Sequence, residues 1–293
     1  MELSRIERIG VGRTAEVYAW GDGKVLKLFQ PWHPEPWAES ESRSTAAAYE
    51  AGLPAPRVYG LERVGGRLGV VLERVEGPSL LQLLSARPWR VAAIARRLAE
   101  VHAAIHARRV EGLTPLAQHL RWRIDRAALP EALRSRTLDA LERLPAGDAV
   151  CHGDLHPDNV VLTPRGPVVI DWPEISTGHP LADVARTSLM LRIASPPHGR
   201  LRLALRAGRR ILHAVYLRRY LELTGRHPEE LAPFLLPVAG ARYAYLIEDE
   251  RRALLALLER LAARADAQAG VREGASGGPG DRGAKVPQQD VHR

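Results

Sequence analysis

Residues 151–159 read Cys-His-Gly-Asp-Leu-His-Pro-Asp-Asn, and a short apolar run downstream ends in Val168-Val-Ile-Asp171. These stretches hold groups that take protons and groups that hold hard metal ions. Phosphoryl transfer needs such a set: a carboxylate to orient the accepting hydroxyl and take its proton, and oxygen ligands for Mg²⁺, shared with phosphate oxygens. Asp154 and Asn159 lie five residues apart, the separation of base and metal ligand in kinase catalytic loops. Asp171, closing an apolar strand, supplies a second metal ligand. Blander roles exist for each, since Asp and Asn form turns around prolines such as Pro157 and Asp171 is a natural cap. A different chemistry is also written here. His152, Asp154, His156 and Asp158 alternate, as ligands of a hydrolytic transition metal do on a strand. Pro157 interrupts that ladder, and no second His/Asp cluster with ligand spacing follows.

His152-Gly-Asp-Leu-His-Pro-Asp-Asn159, taken with Ile170-Asp-Trp172, resembles the signature of the aminoglycoside phosphotransferase and choline kinase-like superfamily. The resemblance covers about residues 5–265. It implies an α+β, protein-kinase-like fold of two lobes, with Asp154 as catalytic base, Asn159 and Asp171 as Mg²⁺ ligands, and His152 and His156 shaping the loop. Asp183, in Gly178-His-Pro-Leu-Ala-Asp183, matches a further family position with a structural role. Two departures from protein kinases bear on the substrate: Gly153 stands where an arginine precedes the base, and Trp172-Pro173 replaces Phe-Gly after the metal-binding aspartate. A phosphorylated activation loop and a protein substrate are therefore not expected.

The amino-terminal part carries the complementary half of a kinase site. Gly10-Val-Gly12 is a turn whose backbone can approach nucleotide phosphates, although Ala15 replaces the third glycine of the kinase pattern. Lys27 stands two residues after Val25 on a strand, where the kinase pattern puts the lysine of the α- and β-phosphates. Its carboxylate partner is expected on the next helix, with Glu41 favoured and Glu39 and Glu50 as alternatives. Val71–Gly77 resembles the hinge that reads the adenine edge through Glu73 and Val75, with Val17 and Val25 against the base.

Elements follow from turn residues and periodicity. Arg5–Ile9, Ala15–Trp20 and Lys24–Phe29 read as strands, then a helix from Ala38 to Ala51, then strands Arg57–Glu62 and Leu68–Val75 across Gly65-Gly66. Three- and four-residue apolar spacing predicts helices at Trp89–Ala107, Pro115–Ala128 and Glu131–Leu144, and again at Leu181–Met190, Leu201–Leu223 and Glu229 to about Arg264. Between these sets lie short strands at Ala149–His152, Val160–Thr163 and Val168–Asp171. The domain expectation is a small β-rich nucleotide-binding lobe with one helix (1–76), a larger, mainly helical catalytic and substrate lobe (77–265), and a disordered tail (266–293). His102 and His106 recur at helical spacing and read as a packed helix face.

Composition narrows the class. One cysteine, Cys151, excludes an internal disulfide and a cysteine zinc cage, and fits a reducing compartment. With no apolar run of about 18 residues and no apolar core near the start, neither a membrane segment nor a secretion signal is expected, and the cytoplasm is the default. The formal charge of +8 comes from arginines dispersed among acids rather than from a nucleic-acid-binding module. The expected partners are a nucleoside triphosphate, ATP or GTP, with Mg²⁺, and a small-molecule hydroxyl acceptor. Arg206, Arg209, Arg210, Arg218, Arg219, Arg251 and Arg252 suit a polycation poorly, while Glu174 and Glu248-Asp-Glu250 are the acids available to line a pocket. The competing function from another class is a nucleotide-binding regulator without transferase activity.

Overall fold

The strands of the amino-terminal lobe follow their period-two patterns. In the computed structural model, which describes residues 6–12, 14–193, 202–244 and 248–276, β1 (Arg8–Val11), β2 (Ala15–Ala19), β3 (Lys24–Phe29), β4 (Val58–Val64) and β5 (Arg67–Glu73) form one antiparallel sheet ordered β1-β2-β3-β5-β4. Because alternate residues of a strand face opposite sides, Leu26 and Leu28 turn to a small cluster with Tyr18, Val64 and Val71. Phe29 turns the other way, with Ala15 and Val70, beneath α1 (Glu35–Glu50). That helix buries Ala38, Glu41, Thr45 and Ala48, one stripe at three- and four-residue spacing. It begins earlier than expected because proline is at home in a first helical turn.

The chain leaves this lobe through Gly77, whose φ is +144°. A Cβ there would lie 2.0 Å from the Leu162 carbonyl oxygen, so only glycine passes. The Leu162 N–H donates to the Pro78 carbonyl (3.0 Å) just past this exit, and the Val169 N–H donates across the lobes to the Pro54 carbonyl (2.5 Å).

The second lobe opens with α2 (Leu80–Ala86), a short helix without an apolar stripe long enough to read, started by a capping box in which Ser79 and Gln82 satisfy each other's backbone N–H groups. There follow α3 (Val91–His106), α4 (Leu116–Arg126) and α5 (Glu131–Glu142), then β6 (Ala149–Cys151), β7 (Val160–Thr163), β8 (Gly166–Val169) and β9 (Ser176–Gly178). β7 and β8 form a hairpin. β6 pairs with β9, a strand too short to show in the sequence. The remaining helices are α6 (Pro180–Ile193), α7 (Arg202–Thr224), α8 (Ala232–Tyr243) and α9 (Glu248–Ser276). The single helix expected from Glu229 is therefore two. α8 is buried almost throughout from Leu236 to Ala241, whereas α9 buries a stripe at Leu254, Leu258 and Ala262, and one straight helix would not serve both environments. α9 also runs past the expected boundary at 265, through residues rich in good helix formers. The rest of the expected tail, 277–293, lies outside the described residues. The lobe's core is built around the fully buried Trp172, Tyr216, Tyr220 and Phe234. Among the described residues no helix is long and apolar enough to cross a membrane.

Candidate active site

Lys27 leaves the centre of the sheet toward the cleft. Its Nζ is 2.5 Å from Glu41 Oε1 on α1 and 2.7 Å from Asp171 Oδ1 of the second lobe. Burial alone would pull its pKa down, but the Glu41 and Asp171 carboxylates more than reverse this and hold it above the usual lysine range. Of the candidate partners, Glu41 is the buried one, while Glu39 and Glu50 are exposed. Val17 lies directly opposite Lys27 in the β2–β3 register and Gly10 opposite Val17; Val25 is two residues along β3 from Lys27. All four therefore share one face of the sheet. Gly12 closes the turn through its N–H to the Ala15 carbonyl at 2.8 Å. Neither Gly10 nor Gly12 takes a positive φ, so what they contribute is open space.

Asp171 does take one, with φ at +67°, alone among the described non-glycine residues. Such a conformation costs about 1–3 kcal/mol and is typically kept at functional sites. The Ile170 N–H donates to the Asn159 carbonyl at 2.9 Å, so Asn159 and Asp171 stand side by side. Asn159 donates its amide nitrogen to the Asp154 carbonyl at 3.0 Å, a bond that does not use its amide oxygen. An amide oxygen next to a carboxylate is the hard-oxygen donor set that Mg²⁺ takes, so the residues present fit that ion.

The loop between β6 and β7 is held from below. His152 accepts the Asp154 N–H at Nδ1 (3.1 Å), lies 3.3 Å from the Ile170 carbonyl through Nε2, and packs on Trp172. Burial lowers its pKa and keeps it neutral, as one accepting and one donating nitrogen require. His156 accepts the Asp158 N–H, and Asp158 accepts the Ser79 hydroxyl at 2.8 Å. Of the four alternating residues considered as a hydrolytic metal set, His156 Nε2 and Asp154 Oδ2 approach to 3.8 Å, but no three of them gather their ligand atoms at one point.

Asp183 is the loop's main anchor. It accepts the His152 N–H at 2.6 Å and the Gly153 N–H at 3.1 Å, and meets His102 Nε2 at 3.2 Å and His106 Nε2 at 3.4 Å. Each imidazole reaches a tyrosine hydroxyl at 2.7 Å through its other nitrogen, His102 to Tyr216 and His106 to Tyr220. Burial would raise the Asp183 pKa, but its imidazole partners hold it well below the usual range. These histidines are buried, as a packed helix face requires, yet what they do there is polar. His102, His106 and Asp183 are also, among the described residues, the one group of three His, Cys, Asp or Glu side chains whose ligand atoms lie close together, and the hydrogen bonds already engage every one of their ring nitrogens.

Sequence reasoning missed Arg186. Its Nη2 lies 3.0 Å from Asp154 Oδ1 and 3.5 Å from Glu174 Oε2, while Arg123 from α4 pairs with the other Glu174 oxygen. Burial raises the Asp154 pKa, but Arg186 and then His156 outweigh it and hold the carboxyl below its ordinary value. A signal existed: Asp183, Arg186 and Thr187 fall at i, i+3 and i+4 of α6, one face, and Thr187 also grips the loop through the Leu155 carbonyl at 2.8 Å. Glu73 closes β5 opposite Lys24; its carboxylate accepts from the Arg57 N–H and pairs with Arg165 on the β7–β8 turn, and half-buried Val75 follows. Glu248-Asp-Glu250 opens α9, with side chains outside the described residues.

A β-sheet lobe over a helical lobe, with a lysine of the first bonded to an aspartate of the second, defines a kinase-like phosphotransferase. The sequence matches the model of the phosphotransferase enzyme family (APH) over residues 5–234, and the chain belongs to that family. No curated protein sequence matches it. Among solved structures it is similar to a thermostable mutant of the aminoglycoside phosphotransferase APH(4)-Ia in ternary complex with ADP and hygromycin B, at 18% identity and TM-score 0.63, over 89% of this chain and 94% of that one. It is similar to the amicoumacin kinase hAmiN in complex with AMP-PNP, Ca²⁺ and Ami (12% identity, TM-score 0.59, 90% of this chain and 89% of that one). Choline kinase from Cryptosporidium parvum Iowa II is a third neighbour (12% identity, TM-score 0.55, 90% of each chain). At these identities the likeness shows the protein-kinase-like fold.

Proposed function

We propose that this protein transfers the γ-phosphoryl group of ATP or GTP to a hydroxyl of a small molecule. The observation that carries the reading is the double contact of Lys27, which joins Glu41 of one lobe and Asp171 of the other at a single ammonium. In this reading the Gly10–Gly12 turn and Lys27 hold the phosphates, Val17 and Val25 pack against the base, and Glu73 and Val75 offer backbone groups to its edge. Asn159 and Asp171 would hold Mg²⁺, which supplies charge neutralisation for the phosphate oxygens. Asp154 orients the acceptor hydroxyl and takes its proton as the acceptor oxygen bonds to the γ-phosphorus and the bond to the β-phosphate oxygen breaks, releasing the nucleoside diphosphate. His152, His156 and Asp183 keep the loop in shape for that step.

Two of the three neighbours hold a nucleotide together with a small molecule, hygromycin B in one and Ami in the other, which supports a nucleotide co-substrate and a small-molecule acceptor. The surroundings of Asp154 favour an acceptor that is neutral or carries one charge. Around it, the guanidinium groups of Arg123 and Arg186 balance the carboxylates of Asp154 and Glu174, leaving no surplus negative field for a polycation.

A screen for ADP or GDP release with Mg²⁺ across sugars, amino alcohols, hydroxy-amino acids and aminoglycosides tests both parts. Turnover on a neutral or singly charged alcohol is expected. Turnover confined to aminoglycosides would overturn the acceptor class, and nucleotide binding with no release on any acceptor would favour the regulator.

A further inference from the structure

Gly153, immediately before the proposed base, has φ at +82°, and a Cβ there would lie 2.7 Å from the Glu174 Cβ. No side chain fits. The loop therefore cannot carry the arginine that precedes the base in protein kinases. A guanidinium does reach the carboxylate of the proposed base: Arg186, on the α6 face that anchors the loop, sets Nη2 3.0 Å from Asp154 Oδ1. The same nitrogen faces Glu174 Oε2 at 3.5 Å, and Arg123 of α4 holds the other Glu174 oxygen.

We propose that Arg186 is the positioning residue of Asp154, kept in place by Glu174 and Arg123. The inference rests on the phosphoryl-transfer reading above and adds to it the residue that aims the base. With Oδ1 tied to Arg186 and the backbone carbonyl tied to Asn159, the carboxylate loses its freedom to rotate, and Oδ2 becomes the oxygen presented to a hydroxyl. Arg186 is 9% exposed, so its planar fork is fixed by its surroundings before any substrate arrives. Glu174, held between the Arg123 and Arg186 guanidinium groups, occupies the space above Gly153 and sets where that fork points.

The test compares the parent with Arg186→Met, Arg186→Lys, Glu174→Gln, Asp154→Asn and the Asp154→Asn/Arg186→Met double variant. The rate is that of diphosphate release from magnesium ATP, with water as acceptor and with each alcohol of the screen. Arg186→Met is expected to lower kcat roughly 10- to 100-fold, the scale of a misaimed catalytic group, with the KM for ATP nearly unchanged. Arg186→Lys restores part of the loss, Glu174→Gln loses less than Arg186→Met, and the double variant is no slower than Asp154→Asn alone. Parental kcat in Arg186→Met, a KM for ATP that rises in step with the fall in kcat, or a double variant slower than Asp154→Asn by the full Arg186→Met factor would each overturn the role. If Arg186→Met does not fold, Arg186→Lys decides: reduced kcat at unchanged KM supports the role, and parental kcat overturns it. A parent that releases no diphosphate with any acceptor overturns the kinase reading itself, whereas an active parent indifferent to Arg186 overturns this inference alone.

Discussion

Asp154 meets Arg186 on one carboxylate oxygen, and its other oxygen lies 3.8 Å from His156 Nε2. Truncating that side chain removes the proposed proton acceptor and leaves Lys27, Asn159 and Asp171 in place. Asp154→Ala is therefore expected to lower kcat by roughly 10²- to 10⁴-fold, the usual worth of a positioned base. Nucleotide affinity, measured by calorimetric titration, should stay close to that of the parent; a variant with full turnover would remove Asp154 from the mechanism. At this scale much was legible, because chemistry restricts residue type: Lys27, Asp154, Asn159 and Asp171 stand out by kind and spacing, whereas Glu41 was one of three candidate acids on its helix. Partners were less legible. That one aspartate grips two loop amides and two imidazoles is written in no local pattern, since His102 and Asp183 lie 81 residues apart.

The elements that carry those residues are held by a buried polar cluster, in which α3 contributes His102 and His106, α6 contributes Asp183, and α7 contributes Tyr216 and Tyr220. Burial, and then the neighbouring His102, push the His106 pKa down to about 4 from its ordinary 6.5. Asp183 opposes that shift and Arg226 adds to it. In the unfolded chain this imidazole takes up a proton near pH 6.5, whereas in the folded protein it does so only near pH 4. Across that window the unfolded state binds more protons, so stability rises with pH and is lost as pH falls from about 6.5 to about 4. Urea unfolding at a series of pH values should show that slope, and His106→Gln, which cannot titrate, should flatten it. An unchanged slope in the variant would assign the effect to other groups. Helices and strands with clear periodicity were legible at this scale, including Lys24–Phe29 residue for residue. α2 and β9 were not, because one depends on a capping box and the other on pairing with β6 rather than on composition. The break between α8 and α9 was hidden for a related reason, as apolar content continues across it while burial changes.

At the scale of the whole molecule, the two lobes meet along the β7–β8 hairpin and across Lys27. Backbone bonds and a glycine with no room for a side chain fix the exit from the first lobe, and Arg165 pairs with Glu73 beside it. The order of elements made the two-lobe fold readable from sequence, since five strands with one helix precede a mainly helical remainder. The meeting of the lobes was readable only through the chemistry it serves: an ammonium on the third strand has a use only if an acid from the far lobe comes to it. Lys27 and Asp171 are expected to converge on one magnesium-bound triphosphate, and calorimetric titration of AMP-PNP, with Mg²⁺ and again with EDTA, tests this most directly. The parent should bind more tightly with Mg²⁺, Lys27→Met should bind weakly in both conditions, and Asp171→Asn should lose the difference that Mg²⁺ makes. Equal affinity of the parent with and without Mg²⁺, or a magnesium effect undiminished in Asp171→Asn, would contradict it.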